Sequence, residues 1–132
     1  MRVFIDTSAF YAVLDRDDEN HSAAAQSWRQ LLQDDSPLLT SNYVLVETSA
    51  LIQRRLGIPA LRAFHEDIVP LMEVEWIDEV RHRASIEMAL TANRKRLSLV
   101  DCSSFLVIRE AQVRRAFCFD RHFREQGFSI LP

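Results

Sequence analysis

Short apolar runs alternate along this chain with longer segments in which apolar residues recur every three or four positions. Val3-Phe4-Ile5 is β-branched and aromatic and predicts a buried strand. Phe10, Tyr11, Val13 and Leu14 then form a short helical face within residues 7–14, ended by the charged turn Asp15-Arg16-Asp17-Asp18-Glu19-Asn20. A second helix is predicted from His21 to Gln33, with Ala24, Trp28, Leu31 and Leu32 at helical spacing. Leu38-Leu39-Thr40 predicts a second strand. Thr40-Ser41-Asn42 is a cluster of N-cap residues opening a third helix, for which Gly57 is a good terminator. Pro59 suits the first turn of another helix, with Leu61, Phe64 and Ile68 on one face and Pro70 as its stop. Glu73-Val74-Glu75-Trp76-Ile77 alternates polar and apolar, as an exposed strand does. Asp78 caps a helix reaching Ala92, and another helix follows Asp101 and carries Phe105 to Ile108. Ala116-Phe117-Cys118-Phe119 and Phe128-Ser129-Ile130 predict the last two strands. Strands alternating with helices predict an α/β three-layer sandwich, a central mainly parallel sheet flanked by helices, in one domain over residues 1–132. The pattern does not set the strand order.

Composition narrows the class. The chain has 132 residues, enough for one real core, and its two glycines and four prolines exclude a low-complexity or loop-dominated chain. No apolar stretch is long enough to span a bilayer, and Val3-Phe4-Ile5 is too short for the core of a secretion signal. A cytoplasmic protein is expected, with Cys102 and Cys118 as buried free thiols among apolar neighbours. The net charge of −3 argues at first against a nucleic-acid partner. If four acids hold metal, however, the remaining charges nearly balance, so local clustering decides rather than the total.

Four acids stand outside the charged, solvated stretches. Asp6 ends the first strand, and Glu47 is the only charge between Asp35 and Arg54. Asp101 lies in Leu97-Ser98-Leu99-Val100-Asp101-Cys102, and Asp120 directly follows Ala116-Phe117-Cys118-Phe119. In open parallel sheets functional groups collect at the carboxyl ends of strands, where Asp6 and Asp120 fall. A helix start at Asp101 and the long side chain of Glu47 are placed to reach the same edge. Carboxylates converging without a counter-charge repel one another, and Mg²⁺ or Mn²⁺, a hard ion with oxygen ligands, removes the conflict. Such a site is typical of chemistry on phosphoryl substrates. Each aspartate has a second reading: Asp6 and Asp120 as plain N-caps, Asp101 as the acid of a capping box with Ser98. Glu47 has no partner within one helical turn.

The same segments resemble a known family. Val3-Phe4-Ile5-Asp6-Thr7-Ser8-Ala9 is similar to the opening motif of PIN domains, and Ser41-Asn42-Tyr43-Val44-Leu45-Val46-Glu47-Thr48 to the second. Leu97 to Phe105 resembles the third and Phe117 to Phe123 the fourth, in order and over essentially the whole chain. The resemblance implies a Mg²⁺- or Mn²⁺-dependent endoribonuclease of the VapC toxin type, silenced by a cognate antitoxin and forming a homodimer. It implies metal coordination by Asp6, Asp101 and Asp120, with Glu47 as ligand or acting through water. Thr7 or Ser8 and Asn42 would order the metal shell or the scissile phosphate. In-line hydrolysis of RNA would leave 5′-phosphate and 3′-hydroxyl ends. Where many relatives carry an acid before the third motif, this chain has Arg94.

Arg94-Lys95-Arg96 is a candidate grip on the RNA backbone, or else a solvated loop. His122 at the cleft rim is not needed as a base where metal activates water. His21, His65 and His82 read as surface residues, and Trp28 and Trp76 as packing. Leu51, Ile52, Leu56, Leu61 and Phe64 read first as core and second as a dimer or antitoxin groove. Three other functions compete. A receiver-like signalling domain wants paired acids after the first strand, where Thr7 and Ser8 stand. A haloacid-dehalogenase-type phosphatase wants a second aspartate where Ser8 stands. A catalytically silent PIN-fold binding module need not keep four acids, as this chain does.

Overall fold

A computed structural model describes residues 1–132. The five strands are β1 (Val3–Ile5), β2 (Leu38–Ser41), β3 (Met72–Glu75), β4 (Arg115–Phe117) and β5 (Ser129–Leu131). They form one sheet in the order β3-β2-β1-β4-β5, and every pairing is parallel. The sheet is thus wholly parallel. β1 lies at its centre with Val3, Phe4 and Ile5 at most 1% exposed, which is why this strand is an unbroken apolar run.

The helices are α1 (Thr7–Leu14), α2 (His21–Gln33), α3 (Asn42–Leu56), α4 (Ile58–Ala63), α5 (Glu79–Ala92), α6 (Leu99–Glu110) and α7 (His122–Glu125). Their boundaries follow local chemistry. Ser41 caps α3, its Oγ accepting from Val44 N at 3.2 Å, and Gly57 ends the helix with φ +93°, a conformation that β-carbons oppose. Asp78 caps α5, and Asn93 in the left-handed region stops it. The helix after Gly57 is shorter than its apolar face suggests. It passes into a π-helical turn over Phe64–Ile68 and a 3₁₀ turn over Val69–Leu71, so Pro70 sits inside a tight turn instead of ending an α-helix.

One apolar cluster of 27 buried residues fills the interior. Ile52 and Phe64 are fully buried and Leu51, Leu56 and Leu61 pack against the cluster, so this group is core. Phe123 of α7 stacks edge-on to Phe105 of α6, with centroids 5.1 Å apart, and lies 6.5 Å from Phe4. That anchor fixes the turn carrying Asp120. Cys102 and Cys118 are buried free thiols, and burial pushes Cys118 up to about 12. Trp28 packs on the core, but Trp76, just past the edge strand β3, is 67% exposed and does not serve packing. No helix is long and apolar enough to cross a membrane.

Candidate active site

Parallel strands that diverge to opposite sides of a central strand leave a crevice at their carboxyl ends. Here the order reverses between β1 and β4, and Asp6 and Asp120 follow these two strands. Asp6, Thr7, Ser8, Glu47, Ser98, Asp101 and Asp120 line one open cleft of about 520 Å³ at that edge. The structure therefore brings all four acids together, from four separate stretches of chain.

The cleft is held by its own hydrogen bonds. Asp6 N donates to Phe117 O at 3.1 Å, and buried Thr40 Oγ1 donates to Ile5 O at 3.0 Å, so β1 enters its turn tied to both neighbouring strands. Ser8 Oγ donates to Asp6 Oδ2 at 2.7 Å and accepts from Phe119 N at 2.9 Å, joining the Asp6 turn to the Asp120 turn. Buried Thr48 donates to Thr7 Oγ1 at 3.0 Å, which fixes the α3 segment carrying Glu47 against the start of α1.

Asp6 is the N-cap of α1 and Asp101 the acid of a capping box, as their second readings hold. Arg121, however, takes the N-cap position of α7, and Asp120 only braces the turn before it. Each of the three is held by backbone N–H through one oxygen. Asp6 Oδ2 accepts from Ser8 N and Ser8 Oγ. Asp101 Oδ2 accepts from Ser98 N at 3.1 Å, while Ser98 Oγ accepts from Asp101 N, a complete capping box. Asp120 Oδ1 accepts from His122 N at 2.9 Å. The second oxygen of all three, and both oxygens of Glu47, have no hydrogen-bonding or ion-pair partner in the protein; the remote His122 Nε2 contact of Asp120 falls on the Oδ1 already bonded to His122 N.

The electrostatics register that lack of a counter-charge. Asp6 is 4% exposed, and burial pushes its carboxyl up to about 7 against the Ser8 hydrogen bonds, with Asp101 and Glu47 adding to the rise. Burial also raises Asp101, held back by Ser98 and pushed further by Asp120 and Glu47. No three acidic, histidine or cysteine side chains close tightly enough to enclose an ion by themselves. The donor set fits a wide, all-oxygen shell completed by water, which suits Mg²⁺ because it dehydrates reluctantly.

Several expected residues lie elsewhere. Asn42 Oδ1 accepts from Ile77 N at 2.7 Å, pinning the end of β3, and the residue lines a different, apolar groove with Leu45, Val46 and Trp76. Arg94 is drawn to Glu125, 3.2 Å away, and neither it nor Lys95 nor Arg96 lines the acidic cleft. His122 is mostly buried at the rim, with Nε2 3.9 Å from Asp120 Oδ1. The cleft wall also includes Ala50, Leu51 and Arg54, which follow Glu47 at helical spacing on α3. That spacing was the available signal for Arg54.

Comparison with known proteins agrees with this architecture. The PIN domain family model matches residues 3–129. The 23S rRNA-specific endonuclease VapC20 of Mycobacterium tuberculosis is 30% identical over 127 residues, covering 96% of this chain and 95% of the relative. The crystal structure of that protein, described as a sarcin-ricin loop cleaving toxin, superposes with a TM-score of 0.84 over 98% of this chain and 99% of the other. FitAcB from Neisseria gonorrhoeae shares the fold at 13% identity, with a TM-score of 0.71 over 100% of this chain and 97% of that one. This chain belongs to the PIN domain family and is of the VapC type.

Proposed function

We propose that this protein is a Mg²⁺- or Mn²⁺-dependent endoribonuclease and the toxin of a toxin–antitoxin pair. The observation that supports the reading is the set of carboxylate oxygens in one open cleft that have no protein partner, beside others committed to backbone caps. Asp6, Asp101 and Asp120 would hold the metal through those oxygens, with Glu47 as a further ligand or acting through water. When bound, the cation supplies activation of water and neutralisation of charge on the phosphate oxygens.

The chain's own residues do the positioning. Ser8 holds Asp6 by a hydrogen bond to Oδ2 and ties its turn to that of Asp120, so two carboxylates keep their spacing as substrate enters. Thr7 and Thr48 hold the Glu47 segment of α3 in place. Glu47, with both oxygens free, is the acid able to accept a proton from attacking water. In-line attack at phosphorus needs no 2′-hydroxyl, so the products carry 5′-phosphate and 3′-hydroxyl ends.

Protein partners follow from the same reading. An antitoxin and a second copy of the chain are the expected ones. The groove with exposed Val46 and Trp76 supports such a role, because an apolar patch of this kind is commonly covered by protein.

The test is cleavage of end-labelled RNA, first the sarcin–ricin loop of 23S rRNA that the VapC20 relative is named for, with Mg²⁺, Mn²⁺ or EDTA. Asp6→Asn, purified identically, exposes contaminating ribonuclease. Metal-dependent cutting that the variant loses establishes the nuclease. Equal cutting by both proteins, or none with either metal, overturns it in favour of a silent binding module.

A further inference from the structure

Arg54 is the only cationic residue lining the acidic cleft, and it forms no ion pair or hydrogen bond with the protein. The neighbouring arginines are committed. Arg55, next in the chain, lies over the Tyr11 ring at 5.4 Å, and Arg62 and Arg94 face Glu66 and Glu125. Arg54 is exposed, in the last turn of α3, and follows Glu47 by seven residues. Seven residues bring a helix back to nearly the same face and carry it about 10 Å along its axis. Ala50 and Leu51 form the apolar wall between the two. A guanidinium whose task was to neutralise the carboxylates would sit within ion-pair distance of Glu47, and Arg54 does not.

We infer that Arg54 is a positioning residue, gripping an RNA phosphate that neighbours the scissile one. The inference rests on the nuclease reading. A polyanion laid along α3 puts its reacting phosphate at the acids and a flanking phosphate at Arg54, with a sugar or base over Ala50 and Leu51. A planar guanidinium can hold that phosphate by two hydrogen bonds and fix the register of the strand. It also supplies the attraction that four carboxylates withhold from an anionic substrate.

Two measurements separate this inference from the reading beneath it. In cleavage, Arg54→Ala is expected to raise KM about tenfold, the loss of one charge-assisted contact, with kcat within about twofold. Arg54→Lys should recover part of the loss. A single uncharged methylphosphonate, walked through the linkages beside the scissile one, should at one position make wild type and Arg54→Ala equal. In binding, Asp6→Asn and Asp6→Asn/Arg54→Ala are titrated with single-stranded RNA across a salt series in EDTA. The second should have a log–log slope shallower by about 0.7, one phosphate contact fewer on a single strand. Unchanged KM and slope, or a fall in kcat alone, would overturn the inference while leaving the nuclease standing. RNA binding with the expected slope change but no cleavage by wild type would refute the nuclease and keep Arg54 as an RNA contact. Absence of RNA binding would overturn the inference, and absence of binding together with no cleavage by wild type would remove both.

Discussion

Asp6→Asn should stabilise the protein when divalent metal is absent. Burial raises the Asp6 carboxyl from 3.8 to about 7. An acid raised in the fold holds its proton more tightly there than in the unfolded chain, so ionisation works against folding. The cost is absent below the unfolded value, grows as pH rises between the two values, and is complete above the folded one. Roughly three pKa units correspond to about 4 kcal/mol, an upper bound because a buried site relaxes when it ionises. Asparagine keeps the acceptor that Ser8 N and Ser8 Oγ use, and caps a helix as well as aspartate does, so little is lost with the charge. Urea unfolding in EDTA should show the variant about 2–4 kcal/mol more stable at about pH 8 and equal to wild type at about pH 4. Adding Mg²⁺ should close the gap at the higher pH, because only wild type gains stability from binding the ion. A variant less stable than wild type at the higher pH, or a difference that ignores pH, would refute the claim that Asp6 lacks a counter-charge.

Other substitutions test the remaining supports. Ser8→Ala removes a hydrogen bond to Asp6 and leaves Phe119 N–H without its acceptor, so it should cost about 1–3 kcal/mol in urea unfolding. Asp120→Asn and Glu47→Gln each leave the fold intact by circular dichroism but should lower Mg²⁺-dependent cleavage by about a hundredfold or more. Ile52→Ala, on the inner face of α3 and fully buried, should lose about 2–5 kcal/mol by opening a cavity in the core. Cys118, pushed up to about 12, should resist alkylation at neutral pH until denaturant is added. Rapid labelling of the native protein would show that its pocket opens.

What could be read from the chain was local. Strand β1 is legible because a central parallel strand is apolar on both faces, and α3 and α5 because Ser41, Gly57 and Asp78 are caps whose chemistry needs no tertiary context. The edge was harder. Trp76 looks like packing in an alternating strand, yet it lies just beyond β3, where no neighbouring strand covers it. Asn42 shows the same limit at the site. It stands beside the α3 cap in a motif that pointed to the metal, but β3 runs next to β2 and offers the Ile77 N–H to its side chain. Arg54 could be found only by projecting from Glu47 along the helix, because its neighbours in sequence say nothing about the cleft.

The aspartates bear on why the site occurs where it does. A carboxylate at a strand's end or a helix's start is oriented by backbone N–H groups through one oxygen, as Ser98 N does for Asp101 and His122 N for Asp120. The second oxygen is then presented in a fixed direction without a side-chain partner. Backbone bracing and the proposed ligation need not compete at Asp6, Asp101 and Asp120, because one carboxyl has two oxygens and only one of them is bonded to the backbone. The capped oxygen supplies preorganisation, which spares a ligand the cost of being ordered when the ion arrives. Glu47 has no such cap and depends instead on the Thr48–Thr7 bond to hold its helix. Thr48→Val should therefore weaken Mg²⁺ binding measured by calorimetry while leaving the three aspartates in place. If affinity were unchanged for Thr48→Val but lost for Glu47→Gln, the buried face of α3 and not the Thr48–Thr7 bond would hold Glu47; if both left it unchanged, Glu47 would not be a ligand.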